Sequence, residues 1–382
     1  MIDDHIYKIL IVIRWPIGGI RTFIRYVYRE FDPSKYHFTI IAPDENELNI
    51  LMEDLKELNV SIIPICRKAT PFQFAKAIFN TILKNKFDLV HSHGLTAGTF
   101  SMVSLLFSDI PHILTIHETI SDEIFRGVIG YLKKYALNII LSMIDVIHSV
   151  SNDAQENLLD NISILRMFKK KLIVISNGIE TDRFLITERR NLRNELNLTD
   201  DTFLIGFLGR FMPEKGFNYL VDALELVIKR NILLTKPYIL AFGENEAFIR
   251  EEKKHVRDKQ LERYVFFMPF TSNVASTLRG LDVVVMPSLR EACGLLAMEA
   301  MVAGVPLIGS DCIGLRETIT GTQAQMITAR DSVLLSNAII KEMEHSSKKQ
   351  AEDFRIEAAQ RYCVKKQAKQ LENLILSYIK KK

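Results

Sequence analysis

Short β-branched apolar runs alternate with helix-length amphipathic stretches along this chain, and the alternation starts twice. The runs KILIVI (8–13), HFTIIAP (37–43), VSIIPI (60–65), FDLVHSHG (87–94), HILTIHE (112–118), DVIHSVS (145–151) and KLIVISNG (171–178) have the length and composition of strands covered on both faces. Between most of them lie segments such as PFQFAKAIFNTILKNK, whose apolar residues recur at helical spacing. A chain written this way builds a parallel sheet covered by helices. The polar stretch TERRNLRNELNLTDD (187–201) interrupts the pattern, and the same grammar restarts at TFLIGFLGRFMPEKGFNYLVDALELVI, with Leu220, Leu224 and Val227 on one helix face. Strands follow in YILAFG (238–243), YVFFMPF (264–270), LDVVVMPS (281–288) and VPLIGSD (305–311). The expected class is α/β, with two Rossmann-like doubly wound domains whose strand ends face a central cleft. The expected bounds are 1–186 for the first domain, 187–201 for a linker, 202–360 for the second domain and 361–382 for a C-terminal helix able to pack back on the first. A length of 382 residues suits two cores better than one.

Charge narrows the classes of partner. The formal net charge is only +3, without the concentrated basic face that phosphate-backbone binding needs, so nucleic acid is not expected as a partner. Local basic clusters, RMFKKKL (166–172) and the closing IKKK, are compatible with solvated helix ends or with peripheral contact at an anionic membrane surface. Cys66, Cys293, Cys312 and Cys363 are scattered without a CxxC, which fits free thiols in a reducing compartment. The opening MIDDHIYKILIVI lacks a signal peptide's basic start, and no run reaches about 18 uncharged apolar residues, so a cytoplasmic protein is expected, peripheral at the inner face of the membrane if it touches one.

Ligands of doubly wound domains gather at the carboxyl ends of the strands, and the unusual polar groups of this chain fall there. Gly18 and Gly19 follow the first strand, His91 and His93 lie in HSHG, His117 follows HILTI, and Arg210 and Lys215 flank the loop GRFMPEKG. Two cations beside a helix N-terminus suit a diphosphate, because side-chain charge, backbone amides and helix dipole add. The loop is no P-loop, and GxGxxG follows neither opening strand. In REACGLLAMEAMVAGVP (290–306), Glu291 and Glu299 interrupt an apolar stretch, and a carboxylate in such a place needs a polar partner. Gly294 stands where a helix should begin, so the amides of Gly294, Leu295 and Leu296 can face an anion, while each carboxylate can accept two hydroxyls of a sugar or ribose. Two histidines in HSHG without a nearby third ligand do not make a metal site, and no Asp-x-Asp occurs in the chain, so no metal is expected.

SLREACGLLAMEAMVAGVPLIGSD resembles the E-x7-E signature of retaining GT-B glycosyltransferases, in particular glycosyltransferase family 4. GRFMPEKGFNYLVDAL is similar to that family's G-R-x4-K-G segment, VISNGIETDRF to its P-N-G-[VI]-D segment, PIGGIRTFI to its N-terminal glycine loop and TIHE to its T-x-H. The likeness runs from about residue 8 to 365 in the family's order. It implies a GT-B fold and transfer of a sugar from a nucleoside diphosphate sugar, UDP-linked first and GDP-linked second, to a glycan or lipid-linked acceptor, with retention of configuration and no cofactor. Bacterial surface polysaccharide synthesis is the setting it implies, lipopolysaccharide included. In that pattern Arg210 and Lys215 hold the donor diphosphate and Glu299 the ribose hydroxyls. Glu291 meets the transferred sugar, the Gly294–Leu296 amides meet phosphate and sugar, His117 touches the O6 side, and Gly18–Gly19 border donor phosphate and acceptor. Departures are Ala292–Cys293 for the usual Pro-Phe, Ser176 for Pro, Glu180 for Asp, and one glycine in AFGEN where G-x-G is common. A nucleotide-sugar epimerase on the same fold and a non-catalytic sugar-nucleotide-binding protein are the alternatives.

Overall fold

A computed structural model describes residues 5–230, 235–243 and 246–380. Glu244 and Asn245 of AFGEN and the last two lysines of the closing IKKK lie outside them. The chain divides into two compact units, one from the N-terminus to Gly178 completed by the residues from Val364 onward, the other Ile179–Cys363.

The first unit holds a seven-stranded sheet: β1 (Tyr7–Ile13), β2 (Tyr36–Pro43), β3 (Val60–Ile65), β4 (Leu89–His93), β5 (His112–Ile116), β6 (Val146–Ser149) and β7 (Leu172–Val174). The order is β3-β2-β1-β4-β5-β6-β7, with every pairing parallel. Ile9 to Ile13 are buried on both faces of β1, as its continuous apolar run requires. The helix Gly18–Tyr28 follows, burying Phe23, Ile24 and Val27 at helical spacing. The closing helix Val364–Ile379 belongs to this unit. Its Gln367 accepts from Gly178 N at 2.7 Å and donates to Asn177 Oδ1 at 2.9 Å, and Tyr36 donates to its Glu372 at 3.0 Å. The asparagine–glycine pair of VISNG therefore anchors the return of the chain.

In the second unit a six-stranded sheet is ordered β10-β9-β8-β11-β12-β13, again parallel throughout. Its strands are β8 (Thr202–Leu208), β9 (Lys236–Phe242), β10 (Val265–Met268), β11 (Val283–Met286), β12 (Leu307–Ser310) and β13 (Gln325–Ile327). The helix Phe217–Lys229 buries Leu220, Leu224 and Val227 against this sheet.

The structure departs from the expectations in three places. β13 was not expected, because three residues reading QMI at a sheet edge carry no periodicity. The stretch 187–201 is also no free linker. Leu192 is buried, Arg190 clasps Glu195, and Arg193 binds Asp282 and the carbonyl of Thr202, so the segment is docked on the second unit. The division falls at Gly178 and Cys363 rather than at 186 and 360.

In both sheets the strand order reverses between two central neighbours, β1 and β4 in one, β8 and β11 in the other. Open α/β sheets bind ligands at such a switch point, beyond the carboxyl ends of the strands.

Candidate active site

The crevice of the second unit is built from two loops. After β8 the chain passes the exposed Arg210 and the buried Phe211 into a single 3-10 turn, Pro213–Lys215. Gly216 then opens the next helix with φ 67° and ψ 27°, and a Cβ there would stand 2.1 Å from the carbonyl oxygen of Pro287. Only glycine combines that left-handed backbone with so close an approach. The contact brings the β8 loop against the loop after β11, and Leu289 N donates to Glu214 O at 2.7 Å across the same junction.

Lys215 Nζ thereby reaches Glu291 Oε1 at 2.7 Å, and Ser288 Oγ donates to the same oxygen at 2.8 Å. The Glu291 side chain is 11% exposed and that of Lys215 31%, so the pair is shielded yet reachable. Gly294, with φ 64° and ψ 54°, precedes the helix Leu295–Ala303, whose first amides have no partner within the helix and face outward from its N-terminus. Glu299 lies just over one turn in and is buried. The buried Cys293 directly precedes Gly294 and the buried Cys312 follows β12, and burial pushes Cys312 up to about 11, so it stays a neutral thiol. A loop cation, a cation–carboxylate pair, a helix N-terminus and a buried carboxylate thus surround the ends of β8 and β11. Such a set holds a polyanion together with a polyol.

The first unit fills its crevice differently. His93, Thr115 and His148 stand in register across β4, β5 and β6. His148 Nε2 lies 3.0 Å from the carbonyl oxygen of Ile175, which can only accept, so this nitrogen carries the proton. Every further bond then follows in direction. Thr115 donates to His148 Nδ1 at 2.9 Å, His91 Nε2 donates to Thr115 at 2.7 Å, and Tyr28 donates to His91 Nδ1 at 2.7 Å. His93 Nε2 donates to Tyr28 at 3.0 Å, and His117 Nε2 donates to His93 Nδ1 at 2.9 Å. The chain ends at the half-buried His117, leaving its Nδ1 lone pair as the outward acceptor. Burial holds His91 and His93 well below the ordinary histidine value, His148 at about 4 and His117 at about 3, so all four rings are neutral. Phe23, from the helix that begins at Gly18, packs its ring 4.7 Å from that of His117. Gly18 and Gly19 are exposed at that helix's start, Gly18 at φ 57°.

Two family patterns match, "Glycosyltransferase Family 4" over residues 17–183 and "Glycosyl transferases group 1" over 188–361. The chain belongs to the family 4 glycosyltransferases. A UDP-Gal:alpha-D-GlcNAc-diphosphoundecaprenol alpha-1,3-galactosyltransferase of Escherichia coli is 22% identical, over 73% of this chain and 73% of that one. The capsular polysaccharide biosynthesis glycosyltransferase CapM of Staphylococcus aureus is 25% identical, over 74% of this chain and 77% of that one. Anabaena HepE solved with UDP-glucose superposes with a TM-score of 0.79 at 18% identity, covering 97% of this chain and 99% of that one. The fold of this transferase is accordingly GT-B.

Of the residues singled out in the transferase sequence, Arg210, Lys215, Glu291 and Gly294 fall on the two loops of the second unit, and Leu295, Leu296 and Glu299 on the helix that the second loop enters. Gly18, Gly19 and His117 lie in the first. Sequence reasoning missed Ser288, which shares Glu291 with Lys215, and Tyr28, Thr115 and His148, which join His91 to His93 and His117. It also missed the largely buried Glu118, which accepts from Leu95 N at 2.8 Å at the start of the helix Leu95–Ser104. Strand register was the signal that could have found the histidine row.

Proposed function

We propose that this glycosyltransferase moves a hexose from a nucleoside diphosphate sugar, UDP-linked in the first instance and GDP-linked in the second, to a glycan or lipid-linked acceptor with retention of configuration. The observation that carries the reading is the Lys215–Glu291 pair beside Arg210 and the helix N-terminus at Gly294, because it sets positive charge where a diphosphate would leave and a carboxylate where a sugar would sit. The UDP and UDP-glucose complexes of Anabaena HepE and the UDP-galactose and lipid diphosphate substrates in the Escherichia coli relative's name support the same donor and acceptor classes.

In this reading the acceptor hydroxyl oxygen bonds to the anomeric carbon on the face from which the phosphate departs. The bond between that carbon and the phosphate oxygen breaks, and the departing oxygen takes the hydroxyl proton. Arg210, Lys215 and the amides at Gly294–Leu296 stabilise charge gathering on the diphosphate, which is where preorganised donors gain most. Glu299 binds the ribose hydroxyls and Glu291 positions the sugar. The family pattern assigns His117 to the sugar's O6 side, and its Nδ1 lone pair can accept from a hydroxyl. With the cations supplying the electrostatics, no divalent ion is required.

Thermal stabilisation by a panel of nucleotide sugars, followed by donor hydrolysis without acceptor and analysis of the released anomer, tests the reading. Release of sugar with the donor's configuration in the presence of excess chelator is expected. An inverted product, or a strict need for a divalent ion, would overturn the mechanism, and modification of the sugar without cleavage would favour an epimerase.

A further inference from the structure

The second unit carries a cavity of about 470 Å³ at the edge of its sheet opposite the crevice. Asp200, two residues before β8, and Asp282, directly before β11, both line it, so it lies at the amino ends of these strands. The seven residues of β8 set it about 20 Å from the loop that holds Arg210 and Lys215. The transfer reaction makes no use of it.

Four cations line the cavity, and they are of two kinds. Arg190 and Arg193 are fixed by the fold. Arg190 donates to both oxygens of Glu195 and to Thr277 at 3.2 Å, and Arg193 donates to Thr202 O at 2.7 Å and to Asp282. A Cβ on Gly280 would stand 2.6 Å from Arg190 O, so the stretch that carries these arginines is pressed against the second unit. The exposed Arg189 and the half-buried Lys348, by contrast, have no ion pair and no side-chain hydrogen bond among the described residues. Lys348 also opens the 14-residue helix Lys348–Arg361, whose N-cap Ser347 makes no side-chain cap bond and whose first turn holds no acid. The positive end of that helix therefore adds to the two unpaired charges.

The acidic side of the cavity limits what it can take. Asp282 is occupied by Arg193 and by Leu204 N at 2.7 Å, which leaves Asp200 as a carboxylate without a bonded partner among the described residues. One phosphate answers Arg189, Lys348 and the helix end, and a second phosphate would meet Asp200 as a like charge. A volume of this size is that of a small-molecule site and exceeds what a phosphate alone fills, so the ligand has a body as well. Asp200 can accept from hydroxyls. Asn191, whose Oδ1 accepts from Asn194 N at 3.1 Å, keeps its amide N–H groups to donate to them.

We propose that this cavity is a second ligand site, for the phosphate monoester of a small polyol, with Arg189, Lys348 and the helix end on the phosphate and Asp200 and Asn191 on the hydroxyls. Such a ligand ties the docked stretch 187–201 to the helix Lys348–Arg361, so it stabilises the second unit when it binds. The proposal does not rest on the transfer reaction, and its test needs no turnover.

Calorimetry of the full chain with inorganic phosphate and with sorbitol 6-phosphate tests it, in a background of Arg210→Ala with Lys215→Ala that strips the crevice of its cations. One saturable site is expected to remain, weakening as salt rises. Sorbitol 6-phosphate should be the tighter of the two, and the melting temperature should climb with its concentration. Adding Arg189→Gln and Lys348→Gln should weaken the site about tenfold or more. In the otherwise unaltered chain, R189Q/K348Q should leave donor hydrolysis and the ligand-free melting temperature unchanged, because neither side chain has a partner to lose. Loss of all binding in the Arg210→Ala, Lys215→Ala chain would overturn the proposal, since the anion would then belong to the crevice. Undiminished binding after R189Q/K348Q, or phosphate bound as tightly as sorbitol 6-phosphate, would overturn it as well. Should R189Q/K348Q melt early, two single variants decide instead: Lys348→Gln must weaken phosphate binding, and Asp200→Asn must tighten it by removing a like charge.

Discussion

In both units the chain leaves the sheet at the same topological point, between the central strands where the order reverses, yet the two crevices are lined by opposite chemistry. The second unit places ions there, with Arg210 exposed on the loop and Lys215 bound to Glu291. The first places neutral groups there, four histidines whose charge burial suppresses, joined through Tyr28 and Thr115. One fold therefore supplies two environments, and function follows from the residues placed at strand ends rather than from topology. The ionic crevice suits a diphosphate. The neutral one suits hydroxyls, which it can meet without attracting counter-ions.

The sharpest way to break this contrast is to remove charge from the second unit. Arg210→Ala and Lys215→Ala are each expected to lower turnover by about 10²-fold or more, as loss of a preorganised charge stabiliser does, with little change in melting temperature. Because Lys215 and Glu291 are bonded, Lys215→Ala combined with Glu291→Gln should cost less than the two single effects multiplied. Near-normal turnover in both alanine variants would remove the leaving-group role. Strict multiplicativity in steady-state rates would show that the pair does not act as a unit.

The two carboxylates of this crevice separate binding from chemistry. Glu299→Gln keeps the shape and loses a charged acceptor, an expected cost of about 1.5–3 kcal/mol. It should appear as weaker calorimetric affinity for donor and free nucleoside diphosphate alike. Glu291→Gln should lower turnover while leaving affinity for the free diphosphate largely intact. Equal loss of diphosphate affinity in both variants, with normal turnover in the second, would defeat the division.

What the sequence disclosed and what it hid divide along the same line. Lys215, Glu291, Gly294 and Glu299 were legible because each lies on a loop or helix that directly follows its strand, so local spacing carries the signal. The histidine row was hidden because His93, Thr115 and His148 come from three strands and meet only through sheet register. Docking of 187–201 was hidden too, since Arg193 finds Asp282 far along the chain.

Acid should distinguish the units by stability. His112 and His117 at about 3 and His148 at about 4 titrate in the native state far below the ordinary value of about 6.5. Between those values the unfolded chain binds more protons, so their contribution is fully present above about pH 6.5 and is lost as pH falls towards the native values. Each of these histidines can cost up to about tenfold in the folding equilibrium per pH unit in that window. Glu118, raised by burial, works in the opposite sense. Hydrogen exchange is therefore expected to show the first unit loosening before the second between pH 6.5 and 4. Simultaneous loosening of both, or earlier loss of the second, would show that the neutral network does not govern acid stability.

The smallest expected effect lies within the network itself. Tyr28 donates to His91 and accepts from His93, so it is the link that obliges His93 to keep its proton on Nε2 and His117 to present a bare Nδ1. Tyr28→Phe preserves the packing of the ring against Phe38 and Phe31 but removes both bonds, which frees His93 to carry its proton on Nδ1 and turns His117 towards the opposite tautomer. If His117 accepts from a donor hydroxyl, losing that acceptor should lower turnover about threefold to tenfold, the worth of one hydrogen bond, with affinity for free nucleoside diphosphate unchanged. A structural defect alone would not alter ring protonation, so nitrogen-15 spectra of the imidazoles are the deciding readout. In the native protein His93 and His117 should each show a protonated Nε2 and an unprotonated Nδ1, and in Tyr28→Phe the two forms should mix. Unchanged spectra beside a slower enzyme would mean that Tyr28 acts through packing, and that the tautomer of His117 is set elsewhere.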